Sequence, residues 1–109
     1  MKTYQGRREG YAVEVTVDGR SLDPRLDLWN HSPNGFEWGY AGSGPAQLAL
    51  ALLADHLRND CQAVALHQDF KHAVIAGLPR RGWTLTGEEI KRSLDALQSD
   101  HPASATGES

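Results

Sequence analysis

The chain has 109 residues, 39% apolar, 7% aromatic and 23% charged, with 11 basic against 14 acidic side chains and a net charge of −3. That length suits one domain with a modest core and excludes a multidomain enzyme. No apolar run reaches the ~18 residues of a membrane span, since Asp55 and Arg58 close the longest one. The first ten residues carry Lys2, Arg7 and Arg8 and lack the apolar stretch of a secretory signal. The single cysteine, Cys61, cannot form an internal disulfide, so the expected compartment is the reducing cytoplasm.

Charge is unevenly placed. Asp95, Asp100 and Glu108 have no basic residue after them, and residues 1–94 hold 11 acidic and 11 basic groups. A dedicated duplex-DNA binder is usually basic overall, because phosphate neutralisation supplies much of its affinity. Here the basic pairs are local: Arg7-Arg8, Arg80-Arg81 and Lys91-Arg92. Nucleic-acid binding is therefore expected only if those pairs converge in space.

In chain order, Tyr4 to Arg8 can form a strand that partners the next segment. There Tyr11, Val13, Val15 and Val17 alternate with Ala12, Glu14, Thr16 and Asp18, the period-two pattern of a half-buried strand. Asp18-Gly19 follows as a hairpin turn signal. Leu22 to Leu28 is ambiguous, because Pro24 interrupts it. After the turn Ser32-Pro33-Asn34-Gly35, the alternation Phe36-Glu37-Trp38-Gly39-Tyr40 predicts a short strand with one aromatic face.

The second half is helical. Pro45 to Arg58 is apolar almost all round up to Ala54, which predicts a central helix covered on several faces. A second helix is expected from Cys61 to Ala76, with Leu66, Phe70 and Val74 as its buried stripe and His67, Lys71 and His72 on a polar exposed face. Gly77 and Pro79 stop it, and Arg80-Arg81-Gly82 makes a link. Thr86 and Glu89 have capping-box spacing, Leu85 and Ile90 are placed for a hydrophobic staple, and Ile90, Leu94 and Leu97 give the stripe of a third helix. Residues 99–109, SDHPASATGES, have the composition of a disordered tail. The expected architecture is thus α+β: a small antiparallel sheet of about three strands packed against three helices, one domain over 1–98 with a tail over 99–109.

The string FEWGYAGSGPAQLALALL at Phe36–Leu53 resembles a small family of unknown function found in bacteria, plasmids and phages. Leu66–Lys71 leading to Leu78-Pro79, and Gly82–Thr86 before the last helix, are similar too, so the likeness spans residues 4–97. His72 departs from it, standing where a large aromatic is expected. The resemblance implies no catalytic residues. It implies a context of mobile elements, whose small proteins often act on host restriction and CRISPR machinery.

Several residue groups point to chemistry. Ser43 and Gly44, at the strand-to-helix turn Gly42–Pro45, could hold an anion on free backbone N–H groups, or simply start the helix. Of five histidines, His67 and His72 are five apart and cannot share one ion from one helix face, so no metal site is expected. Cys61 and Ser43 are candidate nucleophiles with His56 or His67 as base, but no acid is placed to orient either imidazole. Glu88-Glu89 suit a helix first turn. Arg80, Arg81 and Trp83 are candidate partner-binding anchors, with Lys71 and His67 on the second helix, although Trp83 can equally pack down as part of the helix cap.

The expected function is a non-enzymatic binding protein without cofactor. It would occupy a host protein or ribonucleoprotein complex, most concretely as an anti-CRISPR-like inhibitor. A DNA- or RNA-associated accessory protein using Arg80, Arg81, Lys91 and Arg92, and a small anion- or nucleotide-binding enzyme using the Gly42–Pro45 turn, are the alternatives. A homodimer through uncovered sheet or the first helix is a further expectation.

Overall fold

A computed structural model describes residues 2–99. All but the first residue of the expected tail lies outside them. The elements run β1 (Thr3–Glu9), β2 (Ala12–Val17), β3 (Arg20–Ser21), α1 (Ser43–Leu57), α2 (Asp60–Ala73), a 3₁₀ turn (Ile75–Gly77), β4 (Gly82–Thr86) and α3 (Gly87–Ser99). The sheet is antiparallel in the order β3-β2-β1-β4. The expected class, a small antiparallel sheet with three helices, is observed, with four strands.

Two-residue turns set the first hairpins. Gly10-Tyr11 joins the paired residues Glu9 and Ala12, and Asp18-Gly19 joins Val17 and Arg20. Asp18 and Gly19 both have positive φ, 50° and 85°, as a type I′ turn requires. Tyr11 was expected on the apolar face of β2 but lies in the first turn and is fully exposed. The inner face carries Tyr4 and Gly6 of β1, Val15 and Val17 of β2, and Trp83 of β4. The outer face, with Gln5, Arg7, Glu9, Glu14 and Thr84, is polar and open.

Phe36–Tyr40 is not a strand. Gly39 has φ +88°, which breaks the extended run, and of its three aromatics only Trp38 is buried. The further strand is β4, where Trp83 and Leu85 alternate with Thr84 and Thr86; of the expected link Arg80-Arg81-Gly82, only Gly82 joins it, paired to Arg7 of β1, while Arg80 and Arg81 form the turn before it.

Helix α1 is the central pillar: every residue from Gly44 to Ala54 is buried. Leu48, Leu50, Leu52 and Leu53 have no exposed surface, and each such burial contributes about 1.5–3 kcal/mol. Pro45 lies within the first turn, where backbone N–H groups lack intrahelical acceptors. Arg58, with φ 55°, closes the helix by donating its N–H to Ala54 O at 3.1 Å. Asn59 then caps α2, its side chain accepting from the Gln62 N–H at 3.1 Å. The cover on α1 comes partly from the irregular segment 22–42, fastened by one buried side chain. Gln47 Oε1 accepts from the N–H groups of His31 (2.7 Å) and Ser32 (3.0 Å), and its Nε2 donates to Pro24 O (2.7 Å) and Trp29 O (3.0 Å). From Gly44 to Ala54, α1 is thus covered by the chain's own elements.

The capping box of α3 is formed. Glu89 N–H donates to Thr86 Oγ1 at 3.1 Å, and Thr86 N–H donates to Glu89 Oε1 at 2.9 Å. Thr86→Ala is expected to cost about 1 kcal/mol, read as a lower denaturant midpoint at unchanged slope.

Candidate functional site

Strand pairing brings two of the three basic pairs together. Arg7 stands opposite Gly82 in the β1–β4 register, so Arg7-Arg8 and Arg80-Arg81 meet at one corner of the sheet. Arg8 is the pivot. Its Nη1 and Nη2 donate to Glu37 Oε2 and Oε1 at 3.1 and 2.7 Å, its Nε donates to Arg80 O at 2.9 Å, and its guanidinium lies 4.9 Å from the centre of the Trp38 ring. Trp38 Nε1 also donates to Arg80 O, at 3.1 Å. The turn before β4 is thus fixed to two side chains from other elements. The Arg8 fork holds the Glu37 carboxyl below its ordinary range.

Arg80 and Arg81 are exposed on this fixed turn, and the stem of Arg80 lies against Gly39. Arg7 projects from the outer face across from Glu14. Among the described residues, Arg7, Arg80 and Arg81 have no ion-pair partner, whereas Arg8 does. Tyr40, half exposed, follows Gly39, against which the Arg80 stem lies. Lys91-Arg92 does not join. Lys91 lines a groove with Lys2, His56 and Gly87 at the other end of β1, and binds Asp95 at 3.2 Å.

The other expected site residues are placed differently. Trp83 is only 8% exposed, its ring over Gly6 and edge-on to Trp38 with centroids 5.6 Å apart, so it is a core residue rather than a surface anchor. His67, expected on a polar exposed face, is 1% exposed. The inward face of α2 is Ala63, His67 and Phe70, a phase that turns Leu66 and Val74 to its flanks. Lys71, one turn further on, is half-buried. Ser43 is exposed, but Gly44 is buried under Glu37: a Cβ there would fall 2.7 Å from Glu37 Cβ. The approach an anion would need at Gly44 is filled by a carboxylate-bearing side chain. Gly42 is the N-cap of α1, with no side-chain cap, so neither Ser43 nor Gly44 has that role. Cys61 is exposed in the first turn of α2.

Two groups escaped the sequence reading. At the far end of β1, the Tyr4 hydroxyl donates to Asp55 Oδ2 at 2.7 Å and Lys2 Nζ donates to the same oxygen at 3.0 Å. Burial, then the Asp55 carboxylate, pushes the Tyr4 phenol far above its usual range. Burial alone would raise Asp55 as well, yet the two donors leave it below its ordinary value. The second group is a pair of imidazoles, His31 Nε2 and His67 Nε2, 3.0 Å apart and flanked by Trp29. Burial, then His67 and Lys71, lowers the pKa of His31. Among the described residues no set of three or more His, Cys, Asp or Glu side chains converges on a metal position.

Residues 4–96 match the model of a family of unknown function, DUF6166. The chain belongs to that family. The match covers β1 through most of α3, so the arginine corner, the Gln47 fastening and the imidazole pair all lie within it. No curated protein and no solved structure matched the chain. Among the described residues, no helix is long and apolar enough to cross a membrane.

Proposed function

We propose that this DUF6166 chain is a non-enzymatic binding protein whose arginine corner engages an anionic surface of a macromolecular partner. The observation that carries the reading is the meeting of Arg7 of β1 with Arg80 and Arg81 of a fixed turn, a corner where, among the described residues, Arg8 is the arginine paired to a carboxylate. Arginine forks bind carboxylate and phosphate bidentately, and a prefixed turn lowers the entropy cost of presenting them. A host protein or ribonucleoprotein offers such a surface. The mobile-element context implied by the sequence resemblance makes inhibition of a bacterial defence complex the concrete form, with action in the cytoplasm. A second reading, a DNA- or RNA-associated accessory protein, draws on the same convergence of two basic pairs. The Gly42–Pro45 turn supports an anion-binding enzyme less well, because Glu37 covers Gly44.

The test is recovery of the chain from bacterial lysate with and without nuclease, comparing wild type with the Arg80→Glu/Arg81→Glu variant. Arg81 is exposed, so Arg81→Glu should change stability by no more than about 0.5 kcal/mol, whereas Arg80→Glu also loses the stem contact at Gly39 and sets a carboxylate near Glu37, so the double variant's urea midpoint is measured alongside. A stoichiometric protein partner that survives nuclease and is lost on charge reversal is the expected result. Loss on nuclease treatment, with steep salt dependence, would instead identify nucleic acid. A partner retained equally by the variant, or recovery of the wild-type chain alone, would overturn the reading.

A further inference from the structure

We propose that His31 and His67 form a two-imidazole site for a transition-metal ion, with Cu²⁺ bound most tightly and Zn²⁺ more weakly. The site is separate from the arginine corner. It joins the irregular segment before α1 to the inward face of α2, and its two ligands are 36 residues apart in the chain.

The geometry comes first. The two Nε2 atoms stand 3.0 Å apart, with ring centroids at 5.1 Å. Cis nitrogens about 2.0 Å from a tetragonal Cu²⁺ are separated by about 2.8 Å, and those about 2.0–2.1 Å from a tetrahedral Zn²⁺ by about 3.3–3.4 Å. The observed separation lies between the two, so an ion seated beside the line joining the nitrogens needs a shift of a few tenths of an ångström and a turn of the rings that aims both lone pairs at it.

Each ring is already held. His67 Nδ1–H donates to Val64 O at 2.7 Å, the backbone-carbonyl contact that typically orients a metal-binding imidazole and leaves Nε2 with its lone pair outward. His31 is fixed from behind: Gln47 Oε1 accepts its backbone N–H, and its ring stacks on Trp29 with centroids 5.0 Å apart and planes 10° from parallel.

The proton inventory also closes. In the neutral pair, with His67 Nε2 as acceptor, the shared bond requires the hydrogen to be on His31 Nε2. Coordination needs that nitrogen free, so the proton moves to His31 Nδ1, which has no hydrogen-bond partner among the described residues. Both ligands then bind as neutral imidazoles and no net proton is released.

Imidazole suits Cu²⁺, Zn²⁺ and Ni²⁺, and among divalent first-row ions Cu²⁺ stands highest in affinity order. With two protein ligands, the ion's remaining positions are left for water or a group brought by a partner. Lys71, one turn beyond His67 and close enough to lower the pKa of His31, opposes cation binding and limits affinity.

Trp29, half exposed and stacked on His31, supplies an internal reporter. Titration of the full chain with Cu²⁺ at neutral pH should give saturable one-to-one binding by calorimetry, with quenching of tryptophan emission. Trp29→Phe should keep the binding and lose most of the quenching. His31→Ala should weaken binding by about tenfold or more, at least the loss seen when only an orienting partner of a ligand is removed. Copper bound to His31→Ala as tightly as to wild type, or the absence of saturable binding, would overturn the proposal. Should His31→Ala fail to fold, nitrogen chemical shifts of the wild-type imidazoles on Zn²⁺ addition decide alone: large shifts at Nε2 of both His31 and His67 are expected, and shifts confined to His56, His72 or His101 would refute the site.

Discussion

Gln47→Leu is expected to lower the stability of the chain by about 3 kcal/mol or more. The size follows from what one amide holds. Gln47 has no exposed surface, and all four of its hydrogen bonds go to backbone groups of the segment that covers α1. Leucine matches its volume but leaves two N–H groups and two carbonyls without partners, at about 1–3 kcal/mol for each that stays buried. Opening of the segment re-solvates some of them, but exposes the apolar face of α1 beneath. Urea unfolding measures the loss, and faster amide exchange at His31 and Ser32 would locate it. A change below about 1 kcal/mol would mean that the segment is held mainly by its side chains. Gln47→Glu separates the two halves of the amide. The acid still accepts from His31 and Ser32, but presents oxygen to the carbonyls of Pro24 and Trp29. Its deficit should shrink on acidification, when a protonated carboxyl can again donate.

This fastening also explains which parts of the fold could be read from the chain. Contacts within a few residues were legible: the Asp18-Gly19 turn, the Thr86–Glu89 capping box and the leucine–alanine run of α1 each carry their signal locally. Gln47 gives no such signal, because a glutamine in an apolar run has the same pattern whether it is satisfied or stranded. Helix α2 shows a phase error. Leu66, Phe70 and Val74 and the observed Ala63, His67 and Phe70 share Phe70, and a shift of one residue around the helix decides whether His67 faces solvent or core. What tipped it was His31, far away in sequence, which supplies the polar partner that makes a buried histidine affordable.

One expected strand, Phe36–Tyr40, is absent from the sheet for a different reason. Phe36–Tyr40 has the alternation of a strand, and Gly39 at positive φ breaks it. Gly82–Thr86 has the same alternation, but Trp83 and Leu85 also fit a helix cap, so the period alone did not choose. The arginine corner depends on that choice. Only when β4 pairs with β1 do Arg80 and Arg81 arrive beside Arg7 and Arg8. The residues of the candidate site were visible as two separate basic pairs, and their meeting was a property of the register.

That register rests on a close approach, and Gly6→Ala tests it. Gly6 lies opposite both Val15 and Trp83, and the indole of Trp83 covers it. A Cβ on residue 6 would fall 2.3 Å from Trp83 Cε2 and Nε1, far inside van der Waals contact. The ring has little freedom to retreat, because Trp38 meets it edge-on at 5.6 Å and Trp38 is itself fixed to Arg80 O. Overpacking of this kind costs about 1–3 kcal/mol, and the upper end is expected because rings on both sides are constrained. Trp83→Phe removes the clashing indole atoms. It breaks no hydrogen bond among the described residues, since Trp83 Nε1 is buried without a partner. The double variant Gly6→Ala/Trp83→Phe should therefore be more stable than the sum of the two single losses predicts, by at least about 1 kcal/mol in urea unfolding. Additivity within about 0.5 kcal/mol would mean that β4 moves aside as a unit rather than being wedged. Should β4 move aside, the turn carrying Arg80 and Arg81 would move with it, and Gly6→Ala would then also weaken any partner held at the arginine corner, although residue 6 faces the inner side of the sheet.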